Sequence, residues 1–294
     1  MLSSILLLTA TLASPVDPAP PGMAPVEALV EARAEAADIL RSSLEGLDQQ
    51  DAQRRVPVLL TAGAAAAEAL GASVVGDTLR QSVQDARWRE AVSPGSAAAG
   101  LEDELRQTLA DLEFEPILEA ALPEGFPPPT LVGEIELKRY PVYRMARAGS
   151  GGNGAFWELF QHIQKHEIPM TAPVEMTYDT TGDEVDMAFM YERPAQGSAG
   201  PDGDVEVVDI EPMLVASIGC RGWSSEAAVA EAYVALAEWV LERDDLQIAG
   251  PTRRFGYNGP SVRGDRRYFE VQIPVRQVLP EVGDELAAVE TSRR

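Results

Sequence analysis

Two histidines, one cysteine and a set of arginines carry most of the chemistry available to this 294-residue sequence. His162 and His166 stand four apart, which on a helix puts both imidazoles on one face with Cβ atoms about 5–6 Å apart. Such a pair can hold Zn²⁺ or Cu²⁺ in cis if a third ligand is supplied, and only Glu158 or Glu167 is near in sequence. No third histidine exists to build a His-based triad or a His-rich zinc site. Cys220 is the single cysteine, so it closes no intramolecular disulfide, and its apolar, alternating surroundings read as a buried and inert thiol. Ser, Cys and His are not arranged as a nucleophile with its base, no Gly-rich phosphate loop is present, and carboxylates are too common to discriminate. The sequence therefore predicts a binding protein and not an enzyme.

Asp and Glu number 47 against 24 Lys and Arg, a net charge of −23. The only lysines are Lys138 and Lys165. A surface of this sign repels a nucleic-acid duplex or an anionic bilayer, so nucleic-acid binding is not expected.

The elements that must position these residues fall into two regions. From residue 25 to 122 apolar residues recur at helical spacing, as in Val26, Leu29, Val30, Ala37, Leu40, Leu44 and Leu47, or Leu101, Leu105, Leu109 and Leu112. Arg33 interrupts the first stripe, and its stem is expected to lie along the apolar face with the charge in water. With breaks at Gly71 and Ser93-Pro94-Gly95, this region reads as an all-α bundle of four helices. Residues 123–130 are Pro-rich, cannot continue a helix and are expected to act as a semi-rigid linker.

Beyond the linker the period changes to two. Ile135, Leu137, Tyr140, Val142 and Tyr143 predict a strand pair or a strand bulged at Pro141, and Met187, Phe189 and Tyr191 alternate, as do Phe269, Val271, Ile273 and Val275. Two amphipathic helices interrupt the strands, about Ala155–Lys165 and Ser225–Glu242, the second with Ser224 or Ser225 as N-cap. The order predicts an α+β domain over 131–276 with a duplicated strand–helix–strands unit, followed by a tail, 277–294. Gly149–Gly154 reads as a mobile connector before the first of these helices.

The N-terminus has its own signature. Ser3–Ala13 is an apolar run ending in small residues, followed by a Pro-rich stretch over 14–24, and it reads as a secretory signal (1–13) cleaved near Ala13. No Lys or Arg precedes Arg33, and the run is far shorter than the roughly twenty residues of a transmembrane helix. Export to the periplasm or the exterior is the expectation, a cytoplasmic location the alternative.

Several segments of the α+β region resemble the SOUL haem-binding family. Glu134-Ile135-Glu136-Leu137-Lys138-Arg139-Tyr140-Pro141 is similar to its opening strand, and Ala155-Phe156-Trp157-Glu158-Leu159-Phe160 follows in the first helix. Ile168-Pro169-Met170-Thr171-Ala172-Pro173-Val174 resembles the family's Ile-Ala-Met-Thr-Ala-Pro-Val signature with one Ala replaced by Pro. Met187-Ala188-Phe189-Met190, Tyr257-Asn258-Gly259-Pro260 and Tyr268-Phe269-Glu270-Val271 complete the order. The resemblance implies a distorted β-barrel or antiparallel sheet of duplicated halves, and haem or a related tetrapyrrole as ligand. It says nothing of the helical region, whose protein partner, if it has one, is unknown.

A haem needs an apolar slot, donors for two propionates and, optionally, an axial ligand. Trp157, Phe160, Ile163, Met170, Met187 and Met190 are the candidates for the slot, each with core packing as its alternative. Lys138, Arg139, Arg144, Arg147, Arg253, Arg254, Arg263, Arg266 and Arg267 are the candidate propionate partners, with Arg144 and Arg254 put forward. His162 or His166 is the candidate iron ligand, His162 first, with Met170 or water opposite. They cannot both ligate one iron in trans, because one helix lies on one side of the ring. A protein-interaction module, or a binder of a non-haem apolar effector, is the competing expectation.

Overall fold

The computed structural model describes residues 26–49, 51–149, 153–179 and 181–278. The Ser3–Ala13 run, the 14–24 stretch, most of the 277–294 tail and the middle of Gly149–Gly154 lie outside the described residues. Four helices form where the 3.6-residue pattern places them: α1 (Val26–Leu44), α2 (Ala52–Ala69), α3 (Val74–Val92) and α4 (Ala98–Leu112). Asp51 caps α2 by accepting from the Arg54 amide at 3.0 Å, and Ser73 caps α3 by accepting from Gly76 at 3.0 Å. Their shared core is small-residue and leucine packing, with Ala36, Leu40, Leu59, Leu101 and Leu105 all out of solvent.

Two details of α1 depart from the sequence reading. Val30 is 48% exposed, and the buried line runs instead through Arg33, Ala36, Leu40, Leu44 and Leu47. Arg33 does not hold its charge in water. Its guanidinium is buried, donating from Nη2 to the Asp111 carbonyl at 2.8 Å and approaching Glu134 Oε1 at 3.4 Å from Nη1. A carboxylate 101 residues away is invisible to a helical-period argument, and it turns a snorkelling position into a buried ion pair joining the bundle to the sheet region.

The C-terminal region is α+β, as predicted. It comprises β1 (Ile135–Tyr140), β2 (Tyr143–Gly149), α5 (Asn153–Lys165), β3 (Val174–Tyr178), β4 (Glu184–Met190), β5 (Gly200–Asp202), β6 (Val205–Ile210), β7 (Met213–Arg221), α6 (Glu226–Leu241), β8 (Leu246–Ile248), β9 (Arg253–Gly256) and β10 (Tyr268–Gln277). The strands form one antiparallel sheet in the order β1-β7-β10-β9-β3-β4-β2-β6-β5, with β8 beside β10. The sheet is open, with β1 and β5 at the ends of that order. Counting outward from its centre, β3-β4-β2-β6 on one side mirrors β9-β10-β7-β1 on the other. α5 joins β2 to β3 as α6 leads from β7 toward β9, so the duplicated strand–helix–strands unit is β2-α5-β3-β4 and β7-α6-β9-β10. β1 and β2 are a strand pair in sequence but not in space: β1 pairs with β7, and β2 with β4 and β6.

Both helices lie on one face of the sheet, α5 over Ala146, Phe189 and Val207 and α6 over Ala216, Val271 and Ile273. The opposite face carries Tyr140, Tyr143, Met190 and Phe255. It is covered by the chain that follows α4. Phe114 stacks on Tyr268 at 6.3 Å, and Phe126 packs edge-on against Tyr140 at 4.8 Å and Tyr143 at 5.0 Å. The Pro-rich 123–130 segment is therefore laid down on the sheet: Glu124 N–H donates to the Glu192 carbonyl, and Lys138 Nζ to the Pro128 carbonyl.

The same segment passes so close to β7 that only glycine fits there. A Cβ at Gly219 would lie 2.3 Å from the Thr130 carbonyl oxygen and 2.7 Å from that of Leu131, both backbone atoms that cannot rotate away. Gly219→Ala is expected to cost about 1–3 kcal/mol of unfolding free energy. Urea denaturation measures it, and an unchanged midpoint would mean that the 130–131 strip is not held where the structure has it.

Candidate functional site

On the helix-bearing face two cross-strand rows meet near the centre of the sheet. One runs Met187, Met176, Arg254, Val271; the other Phe189, Val174, Gly256, Phe269. Gly256 leaves the second row without a side chain, and a Cβ built there would meet only the Val174 carbonyl, at 3.8 Å. Above this gap lies a groove of about 850 Å³. Phe156 of α5, Met170, Thr171, Ala172, Val174, Met176 and Met187 form one wall. Gly222 and Ser224 before α6, with Arg254, Arg267 and the 256–260 loop, form the other. The volume falls in the usual range for small-molecule sites, roughly 300–1,000 Å³.

The groove is apolar on the α5 side and cationic at the far end. Arg254 donates from Nε to the Tyr178 hydroxyl at 3.0 Å and from Nη1 to Ser224 Oγ. The Arg267 guanidinium sits 3.7 Å from the Trp223 ring centroid and donates to the carbonyls of Val262 and Gly259, each at 2.9 Å. Both arginines are thus fastened to the same 222–224 turn. Glu119 and Glu184 also line the groove. Glu119 is occupied, accepting from Gly259 N–H and from Ser261 Oγ, and so ties the chain after α4 to the 257–261 loop. Burial drives the Tyr257 and Tyr268 hydroxyls well above their usual pKa, with the Glu270 carboxylate adding to the effect, so both stay protonated.

The structure brings four of the sequence candidates to this groove, Met170, Met187, Arg254 and Arg267. The others lie elsewhere. Met190 is on the opposite face of β4 from Met187, buried under the connector. Ile163 and Phe160 pack in the α5 core behind the wall, and Trp157 is 58% exposed. Arg144 forms a two-pronged cross-strand pair with Asp209 at 2.7 and 2.9 Å, and Arg147 pairs with Glu206. Lys138 and Arg253 are buried in the network on the other face, Lys138 against Glu270 and Arg253 beside Tyr143 and Glu175.

His162 is buried behind α5 with both ring nitrogens engaged, Nδ1 with Asp202 Oδ2 at 2.8 Å and Nε2 with the Tyr191 hydroxyl at 2.7 Å. His166 reaches the same Asp202 oxygen at 2.7 Å. Neither lines the groove. Cys220 is partly buried on β7, where burial and the nearby Glu270 carboxylate push its thiol up to about 12, too high for a nucleophile near neutral pH.

The liners that individual reasoning missed are Phe156, Val174, Met176 and the aromatic and glycine residues of the far wall. For Phe156, Val174 and the 257–260 residues the signal was in the segments already singled out. Met170–Val174, Tyr257–Pro260 and Tyr268–Phe269, far apart in sequence, converge on this one groove. Residues 130–274 match the SOUL heme-binding protein family. The C-terminal domain belongs to that family. No curated protein matches the chain. Among solved structures, the SOUL domain is similar to the C-terminal domain of EcmrR, at 17% identity and a TM-score of 0.38, over 49% of this chain and 98% of that one. It is also similar to EcmrR in its complex with DNA, at 17% identity and a TM-score of 0.40, over 49% of this chain and 57% of that one. A hydrolase from Listeria innocua is similar at 13% identity and a TM-score of 0.38, over 51% of this chain and 94% of that one. Among the described residues, no helix is long and apolar enough to cross a membrane.

Proposed function

We propose that the SOUL domain binds haem or a related tetrapyrrole, without catalysis, in the groove over Gly256. The observation that carries this reading is the groove's polarity: methionine and phenylalanine on one wall, and Arg254 and Arg267 together at the far end. A planar apolar ring with two carboxylates matches that division, the ring over the Gly256 gap and the propionates toward the arginines. In a chain of net charge −23, local cations are what let a dianion approach. The groove walls contain no histidine or cysteine, so ring contact and propionate pairing hold the ligand, with the Met170, Met176 and Met187 thioethers the nearest soft donors.

Hemin added to the full-length protein is expected to give a saturable, shifted Soret band at micromolar concentration. Gly256→Leu fills the gap and should abolish that band with the circular dichroism spectrum unchanged. Replacing Arg254 or Arg267 by Gln should weaken binding about tenfold each, the value of one charge-assisted hydrogen bond. Because His166 is remote from the groove, His166→Ala should leave the Soret position where it is. A Soret shift that survives Gly256→Leu would place the ligand elsewhere; no saturable shift in the folded protein removes haem from the reading. Titrating a non-tetrapyrrole apolar anion in parallel separates haem from another effector of the same groove.

Export, supported by the Ser3–Ala13 run, is part of the same proposal. A mature protein from the host that begins near Ser14 is the expected result. A second reading has an observation of its own: Trp88 and Val92, one turn apart on α3, are 70% and 67% exposed. Apolar surface of this kind marks partner sites. If the bundle docks a protein, Trp88→Ser with Val92→Ser removes that partner and leaves the hemin spectrum intact.

A further inference from the structure

We propose that His162, His166 and Asp202 form a site for a divalent transition-metal ion, Zn²⁺ in the first instance, that fastens α5 to the β5–β6 hairpin. The site is independent of the groove and of its ligand. The two histidines lie four apart on α5, on the face turned toward the hairpin, and Asp202 ends β5. One nitrogen from each ring and one carboxylate oxygen all lie within 4.8 Å of one another. Both rings address the same atom, Asp202 Oδ2, at 2.8 Å from His162 Nδ1 and 2.7 Å from His166 Nε2. The edge of a tetrahedral site with bonds of about 2.05 Å is about 3.3 Å, so each nitrogen needs to part from Asp202 Oδ2 by about half an ångström, while the two nitrogens, within 4.8 Å of each other, draw together around the ion.

Two surrounding contacts suit a metal. His162 Nε2, the nitrogen that would face away from the ion, is 2.7 Å from the Tyr191 hydroxyl, and both groups are buried. A ligating histidine characteristically gives its other N–H to such an oxygen, which fixes the ring and its tautomer. Lys165 Nζ takes the other carboxylate oxygen, Oδ1, at 2.6 Å, which leaves Oδ2 for the ion. Its side chain is 62% exposed and free to swing outward as the ion takes up the carboxylate charge. Three protein donors with His166 and Asp202 partly open to solvent leave the fourth position for water. Two imidazoles and one carboxylate select Zn²⁺, Co²⁺, Ni²⁺ or Cu²⁺ over Ca²⁺ and Mg²⁺, which take oxygen ligands.

The test uses the full-length, untagged protein after chelator treatment, titrated with CoCl₂ without hemin. One equivalent of Co²⁺ is expected to give visible d–d bands of the intensity of a four- or five-coordinate ion, displaced stoichiometrically by ZnCl₂. His166→Ala and Asp202→Asn, both at partly exposed positions, should each weaken the metal at least about tenfold. Asp204→Asn, on the same hairpin but outside the cluster, should not. Zn²⁺ should raise the melting temperature of the wild type and not of either ligand variant. Only weak six-coordinate bands, or unchanged affinity in both His166→Ala and Asp202→Asn, would show that cobalt sits on the general acidic surface and would overturn the proposal.

Discussion

Lys138→Met is expected to lower the unfolding free energy by about 3–5 kcal/mol, the usual consequence of stranding one member of a buried ion pair. Lys138 Nζ lies 2.6 Å from Glu270 Oε1, with side chains 2% and 0% exposed. Glu270 also accepts from Thr130 N–H at 2.6 Å, from Gln272 Nε2 at 2.7 Å and from the Tyr268 hydroxyl at 3.0 Å. These neutral donors orient the carboxylate but do not neutralise it. Once the ammonium is gone, a full charge stands in the middle of the sheet. The urea midpoint should fall accordingly, and Lys138→Met combined with Glu270→Gln should recover part of the loss. A single variant as stable as the wild type would mean that the pair is not buried in solution.

The same pair sets a pH dependence whose sign is fixed. Burial by itself pushes the Glu270 carboxyl up, but the Lys138 charge and the hydrogen bonds outweigh it and hold the group below its ordinary 4.5. A carboxyl depressed on folding gives stability that is complete above about pH 4.5 and is lost as the pH falls through the folded value. With Lys138 replaced, burial dominates and the slope reverses, so the variant should lose stability as the pH rises. Urea midpoints between pH 4 and 7 for the two proteins should therefore converge toward the acid end. Parallel curves would refute this.

Arg33→Met is expected to have an effect of similar size, about 3–5 kcal/mol, and to change how the molecule unfolds. Burial moves both partners toward their neutral forms, Arg33 down and Glu134 up, against the attraction between them. The pair therefore adds little net stability while intact, but removing one partner is costly. Glu134 would keep neutral donors, the Val74 N–H at 3.0 Å, the Val75 N–H and the Ser73 hydroxyl, but no opposite charge, and the Asp111 carbonyl would lose the Arg33 donor. Arg221 with Asp111, at 2.5 Å, is a second tie between the bundle and the sheet, this one from α4. The sequence alone predicts two independently folding units. The buried tie predicts one transition in the wild type, seen alike by helical dichroism and tryptophan fluorescence. In Arg33→Met the helical signal should be lost first, and Arg33→Met with Glu134→Gln should bring the two signals back toward coincidence. Coincident, unshifted transitions in the single variant would sink the coupling.

Local pattern was enough for the elements. The change from a period of 3.6 to a period of two across Pro123–Pro129 separated helices from strands, because a continuous stripe or an alternating face has to be buried against something. Ser225 was legible as the cap of α6 and does accept from the Ala228 amide. Strand parity also separates Met187 from Met190, three apart and so on opposite faces, a distinction that treating both as slot residues overlooks. The resemblance of segments such as Met170–Val174 and Tyr257–Pro260 carried the family.

Which charges remained available to a ligand was decided by the tertiary structure. Arg144 looked like a candidate equal to Arg254, with Lys138 a further one, yet their strands bring them opposite Asp209 and beside Glu270. Asp202 could not be picked from 47 acidic residues as the group that meets both histidines, since it joins them only through the β5–β6 hairpin. Likewise, Arg33 looked solvated until Glu134 was placed against it. Periodicity reports which face of an element is covered, a property of the element itself. The partner of a charge depends on strand order and register, which are set by the packing of the whole sheet.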